Sequence, residues 1–279
     1  LTWPRLFGEG DPYGLIRWER RTAKITKHTG EIVFEQKDVE VPDFWSQTAT
    51  DIVASKYFRG RLGFPEREWS ARQMVDRVAG TIAQWGYKDG YFATEEDYRN
   101  FRNDLSFILI NQYAAFNSPV WFNVGVQERP QCSACFILSV EDSMPSILEW
   151  YRQEGVIFKG GSGSGINLSN LRGSKEALSK GGHSSGPVSF MKGADGVANS
   201  IKSGGTTRRA AKMVVLNVNH PDIKSFIYCK KEIEDITKVL EKAGIKSSID
   251  GDLFNHYTLL PFQNDNNGIF SPLLDMYDI

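Results

Sequence analysis

SPVWFNVGVQERPQCSACFILSVEDSM, residues 118–144, contains the change of rhythm on which the fold turns. SPVWFNVGV (118–126) and CFILSV (135–140) are apolar runs too short for ordinary helices, so both predict buried strands. Downstream, a helix is expected over 143–158, followed by the glycine loop GGSGSG (160–165). An amphipathic helix follows over 186–202, then a strand at KMVVLNV (212–218), then a helix from His220-Pro221 to about Lys231. Strands alternating with helices predict parallel pairing through crossover helices, an α/β arrangement from residue 117 onward.

Upstream the pattern is different. The chain reads as loop to about Gly10, and ITKHTGEIVFEQKDVEV (25–41) alternates around His28-Thr29-Gly30 as a hairpin does. Helices are expected over 43–58 and over 70–85, the second closed by Gly86. Thr94-Glu95-Glu96-Asp97 has the form of a capping box and opens a helix expected to reach about Phe116. Two regions result: a mostly helical 1–116 without a catalytic-looking cluster, and an α/β region over 117–279.

Composition narrows the function classes. At 279 residues, 41% apolar and 12% aromatic, the chain can bury one large core or two ordinary ones. A formal net charge of −1 argues against a sequence-independent grip on a nucleic-acid polymer, which needs a cationic surplus. It leaves small anions such as nucleotides open. No signal peptide and no membrane-length apolar run is visible, and cysteines are sparse, so a cytoplasmic setting is expected. Because the chain starts at Leu1 rather than Met and stops abruptly at Ile279, it reads as a piece of something longer.

Three clusters could carry chemistry. Cys132 and Cys135 have C-x-x-C spacing, which fits a zinc half-site, a redox pair, one working thiol with a bystander, or two small core residues. Zinc lacks its second half-site, since Cys229 stands alone and His183, His220 and His256 are scattered. A redox pair belongs at a helix N-terminus, whereas this pair leads into a strand. KGGSGSGINLSNLRG (159–173) could bring backbone amides close to a phosphate, or be a flexible connector; it is neither a Walker loop nor a dinucleotide fingerprint. IKSGGTTRRAAK (201–212) places Arg208 and Arg209 in a cationic loop, either solvated or anion-binding. Together the clusters point to a nucleotide site beside a thiol.

The order of the pieces then carries a resemblance. FNSPVWFNVG, SACFILSVEDSM, GSGSGINLSNLR, SGPVSFM, IKSGGTTRRAAKM and HPDIKSFIYCK together resemble vitamin B12-dependent (class II) ribonucleotide reductases. GEIVFEQKDVEVPDFWSQTATDIVASKYFRG looks like that family's lead-in, and the likeness runs from about Trp18 to QNDNN at 263–267. The resemblance implies a ten-stranded α/β barrel of two parallel five-stranded halves, with this chain supplying a helical N-terminal region and the first half. It implies thiyl-radical reduction of ribonucleoside diphosphates with adenosylcobalamin as cofactor and no protein-held metal site. Two thiols deliver the reducing equivalents and end as a disulfide.

Carried onto this chain, Cys135 matches the reducing cysteine on the first barrel strand, and Cys132 matches no catalytic position. Ser118, Ala134, Cys135 and Gly163 match substrate-binding positions. Asp142, Ser143, Met144, Arg172 and Lys180 resemble an allosteric site for a deoxynucleoside triphosphate at a dimer interface. Lys202, Ser203, Gly204, Gly205, Thr206, Thr207, Arg208 and Arg209 resemble the loop that relays effector identity to substrate choice. The thiyl cysteine, the partner of Cys135, and the asparagine and glutamate that act on the ribose are expected on the second half. So is the thiol pair that accepts electrons from a thioredoxin-like donor. Cys229 sits in the HPDI helix and receives no such role. Two other readings are a nucleotide-binding module without catalysis and a reductase of another radical class.

Overall fold

The computed structural model describes residues 1–27, 30–201 and 211–242, which leaves His28, Thr29 and the loop 202–209 outside the described residues. The chain divides into two compact units, one over 1–133 and one from 134 onward.

The first unit opens on an antiparallel hairpin. β1 (Trp18–Thr26) pairs with β2 (Ile32–Pro42) from Trp18↔Pro42 to Thr26↔Ile32, so the expected hairpin is present and its first strand begins earlier than the sequence implied. The single helix expected over 43–58 is shorter and interrupted. Ser46 caps α1 (Gln47–Ile52) by accepting from the Ala49 amide, and the chain then widens into a five-residue π-helical turn, Val53–Tyr57. α2 (Ala71–Lys88) starts with a capping box between Ser70 and Gln73 and runs through Gly86, closing instead at Asp89 and Gly90, whose φ is +70°. α3 (Glu95–Ile110) has the expected Thr94–Asp97 capping box but stops well before Phe116, at Asn111 and Gln112, whose φ is +60°.

SPVWFNVGV is not a strand. Ser118–Asn123 forms α4, a short helix whose cap Asn117 accepts from the Val120 amide and whose Pro119 has the fixed φ suited to a first turn. Its apolar residues are buried as expected, and a buried helical turn has the same apolar run as a buried strand. Val39, Val41, Trp45, Met74, Val78, Ile110 and Val120 form the core here, and Trp45 Nε1 donates to the Ile110 carbonyl at 3.0 Å.

In the second unit, strands and helices alternate as expected. The order is β3 (Cys135–Leu138), α5 (Met144–Lys159), β4 (Gly163–Asn167), α6 (Gly186–Ser200), β5 (Lys212–Val215) and α7 (Ile223–Lys242), which extends beyond Lys231. The sheet order is β3-β4-β5, with both pairs parallel. Two readings change. GGSGSG is a loop only as far as Ser162, because the backbone pairs with β3 from Gly163 and with β5 from Ser164. β3 is also exposed on one side rather than buried on both. The helices cover the other side, where Val140, Trp150, Ile166, Met191, Val214, Leu216 and Phe226 pack.

Candidate active site

Side-chain alternation along β3 sets the site. Phe136 and Leu138 face the helices and pack with Ile157 and Phe158, so Cys135 and Ile137 face the opposite way, and Ile137 is 90% exposed. Cys135 pairs with Gly163 and Ile137 with Gly165, so β4 raises no side chain beside the thiol. Gly163 is needed for closeness as well. Its amide donates to the Ala134 carbonyl at 2.7 Å, and a Cβ there would lie 3.1 Å from the Ala211 carbonyl oxygen. A Cβ on Gly165 would meet open space. β4 thus forms a floor bare of side chains between Ile137 of β3 and Met213 of β5, with the Cys135 thiol at its edge.

The three thiols differ sharply. Cys135 is exposed. Cys132 packs against the core of the first unit and donates to the Pro130 carbonyl at 3.6 Å, and partial burial pushes its thiol up. Cys229 is buried in α7 and donates to the Phe226 carbonyl at 3.1 Å; burial raises it too.

Ser118 belongs to the first unit, as the first residue of α4, and its hydroxyl lies 3.0 Å from that of Tyr57. Asp142 and Arg172 sit beyond the carboxyl ends of β3 and β4, where parallel α/β sheets hold ligands. Asp142 follows β3 and Arg172 follows β4, and they meet with Arg172 Nε donating to Asp142 Oδ2 at 2.6 Å. Ser143 is the N-cap of α5, accepting from the Ser146 amide, and Met144 follows it, exposed. Lys180 is exposed on a tight turn bridged by Ala177 and His183.

Beneath the floor lies a polar group that the sequence reading missed. Glu154 of α5 accepts from Ser164 Oγ at 2.8 Å and from Lys212 Nζ at 2.6 Å. The Lys212 ammonium also lies 5.8 Å from the Trp150 ring centroid and 5.7 Å from that of Phe158. The signal was present: Glu154 falls on the same helical face as Ile147, Trp150, Ile157 and Phe158, and Lys212 alternates with Val214 on an inward row. Among the described residues no cluster of three or more His, Cys, Asp or Glu could hold a metal, and no helix is long and apolar enough to cross a membrane.

Residues 19–112 match the family model described as class II vitamin B12-dependent ribonucleotide reductase. Residues 133–258 match that of the ribonucleotide reductase barrel domain. A vitamin B12-dependent ribonucleotide reductase from Streptomyces coelicolor is 52% identical over 259 residues, covering 92% of this chain and 26% of the relative. One from Rhodopirellula baltica is 44% identical over 284 residues, covering 91% and 27%. A vitamin B12-dependent ribonucleoside-diphosphate reductase from Thermoplasma acidophilum is 35% identical over 192 residues, covering 66% and 24%. The chain therefore spans about a quarter of the length of these relatives.

Proposed function

This chain belongs to the vitamin B12-dependent, class II ribonucleotide reductase family, and we propose that it supplies the first reducing thiol, Cys135, to a reductase of ribonucleoside diphosphates. The observation that carries the reading is the exposed Cys135 beside β4, where Gly163 and Gly165 raise no side chain next to the thiol. A ribose can lie flat there with its 2′-carbon against the thiol. In the net reaction two thiols and a ribonucleotide give a deoxyribonucleotide, water and a disulfide. Cys135 and the second thiol each give up one hydrogen, one leaving with the 2′-hydroxyl as water and one going to the 2′-carbon, and the two sulfurs join as the disulfide.

That second thiol, the thiyl cysteine, and the asparagine and glutamate that act on the ribose are assigned to the remainder of a ten-stranded barrel. The three parallel strands β3-β4-β5 are assigned to its first five-stranded half, which their parallel order supports. Adenosylcobalamin, when bound to the complete protein, supplies the radical that starts the reaction. The exposed face fits that division of labour: it is apolar around Ile137, open over Gly165, and can be closed from water by a covering half. No described residue is assigned to the corrin ring.

Ser118, Ala134 and Gly163 are assigned to the substrate. Asp142, Ser143, Met144, Arg172 and Lys180 are assigned to a deoxynucleoside triphosphate effector at a homodimer interface, and the 202–209 loop to the relay between the two sites. A thioredoxin-like donor reduces the disulfide in a cytoplasmic setting, where free thiols persist.

Anaerobic CDP reduction tests this, with adenosylcobalamin, a dithiol and a dNTP, using this chain alone and then with a matching C-terminal half. Turnover is expected only in the complemented sample and is lost in Cys135→Ser. A folded, dNTP-binding complemented protein without turnover would instead mark a binding module.

A further inference from the structure

Ser118 is held from outside its own helix. The Tyr57 hydroxyl, 61 positions earlier in the chain, lies 3.0 Å from Ser118 Oγ. Tyr57 ends the π-helical turn Val53–Tyr57, where the Phe58 amide donates back to the Val53 carbonyl, five residues earlier. Such turns re-aim a side chain relative to a regular helix and recur at functional sites. The Tyr57 ring is stacked on Phe122 of α4, with centroids 5.3 Å apart and planes 17° from parallel. The Arg59 guanidinium lies 5.2 Å from the Phe122 centroid, and the Arg59 amide donates to Glu68 at 2.8 Å. Both ends of the hydroxyl pair are therefore anchored, the phenol through its stacked ring and the serine at the start of α4.

We propose that Tyr57 is a positioning residue for the substrate, acting through Ser118. A serine hydroxyl has one proton and two acceptor lone pairs and rotates among staggered wells unless something selects one. Either hydroxyl can donate at this distance; the phenol is the more acidic, and with it donating to Ser118 Oγ the serine proton is left for an oxygen of the ribonucleotide. This inference rests on the assignment of Ser118 to the substrate. Loss of the phenol leaves Ser118 in place but rotationally free, so substrate binding weakens while the reducing chemistry at Cys135 is untouched.

The test uses the full-length reductase carrying this chain, assayed with CDP, and compares Tyr57→Phe, Ser118→Ala and the double variant. Tyr57→Phe keeps the ring and its stack, so the melting temperature should hold. The expected result is a KM for CDP raised about tenfold with a smaller change in kcat, the size of one lost hydrogen bond. The double variant should be no worse than Ser118→Ala, and dNTP binding should be unchanged in all three. A raised KM in Ser118→Ala with none in Tyr57→Phe overturns the role of Tyr57 and leaves that of Ser118 standing. Effects that multiply in the double variant also overturn it, because Tyr57 then acts independently. If Ser118→Ala leaves KM unchanged, the substrate assignment of Ser118 fails and the inference fails with it.

Discussion

Lys212 Nζ stands 2.6 Å from Glu154 Oε2, with both side chains closed to solvent on the helical side of the sheet. Ser164 Oγ adds a second contact to the carboxylate, so α5, β4 and β5 meet at one charged point. A buried pair of this kind contributes little net stability, yet removing one partner strands a charge in an apolar surround. Glu154→Leu or Lys212→Met alone is expected to cost about 3–5 kcal/mol, and the double replacement to recover most of it. Urea midpoints of the three variants check this, and additive losses would contradict it.

Asp195 of α6 is buried near the same pair, and its Oδ1 has no hydrogen-bond partner among the described residues. Burial raises its carboxyl from 3.8 to about 7; Lys212 and Lys230 pull it down and Glu154 pushes it up. The folded chain thus holds this proton to near neutrality, whereas the unfolded chain releases it above pH 3.8. Its stabilising contribution is complete below pH 3.8, falls as pH rises toward about 7, and is flat beyond. Asp195→Asn should flatten unfolding free energy against pH over that window. At pH 8 the variant should exceed the parent by on the order of 2–4 kcal/mol. An unchanged slope in urea titrations from pH 4 to 8 would remove Asp195 as its source.

The glycines of β4 have separable roles. Gly163→Ala places a methyl 3.1 Å from the Ala211 carbonyl oxygen, so β4 must shift, at an expected cost of about 1–3 kcal/mol. Gly165→Ala meets open space and should fold with near-parent stability. Its methyl would stand on the floor beside Ile137, which pairs with it, and should raise the KM for ribonucleotide in the complete enzyme. Thermal melts separate the first effect from the second, and steady-state kinetics reads the second.

Much of this was legible in the sequence where local chemistry acts alone. The Thr94–Asp97 box starts α3, the short apolar runs CFILSV and KMVVLNV placed β3 and β5, and helices were expected where α5 and the amphipathic α6 lie. What failed did so because tertiary context chose between local options. Asn117 and Pro119 start a helix in an apolar run that could equally be a strand. Gly163 and Gly165 have the composition of a loop, but Gly163 pairs with β3 and Gly165 with both neighbours, and a parallel sheet needs no side chain for that. Glu154 could have been flagged by its place on an apolar helical face, whereas its partner Lys212 lies 58 residues away. The Tyr57–Ser118 contact has no local signature, and the 202–209 loop lies outside the described residues.

The thiols supply the last prediction, because their reactivity can be ranked without turnover. Alkylation requires a reachable sulfur and its thiolate form. Cys135 is exposed, Cys132 is half-buried with its thiol pushed up by burial, and Cys229 is buried and pushed up as well. Brief iodoacetamide treatment of the native chain at pH 8, read by mass spectrometry of its peptides, should label Cys135 first and Cys229 last. The gap between those two should be at least about tenfold in rate, since Cys229 needs local opening of α7 before it can react. Unfolding in urea should bring the three rates together. Labelling Cys135 and then adding the complementary half should abolish CDP reduction, whereas Cys132→Ser should leave it intact. Early labelling at Cys132 instead would reopen the choice between the two thiols of the C-x-x-C pair.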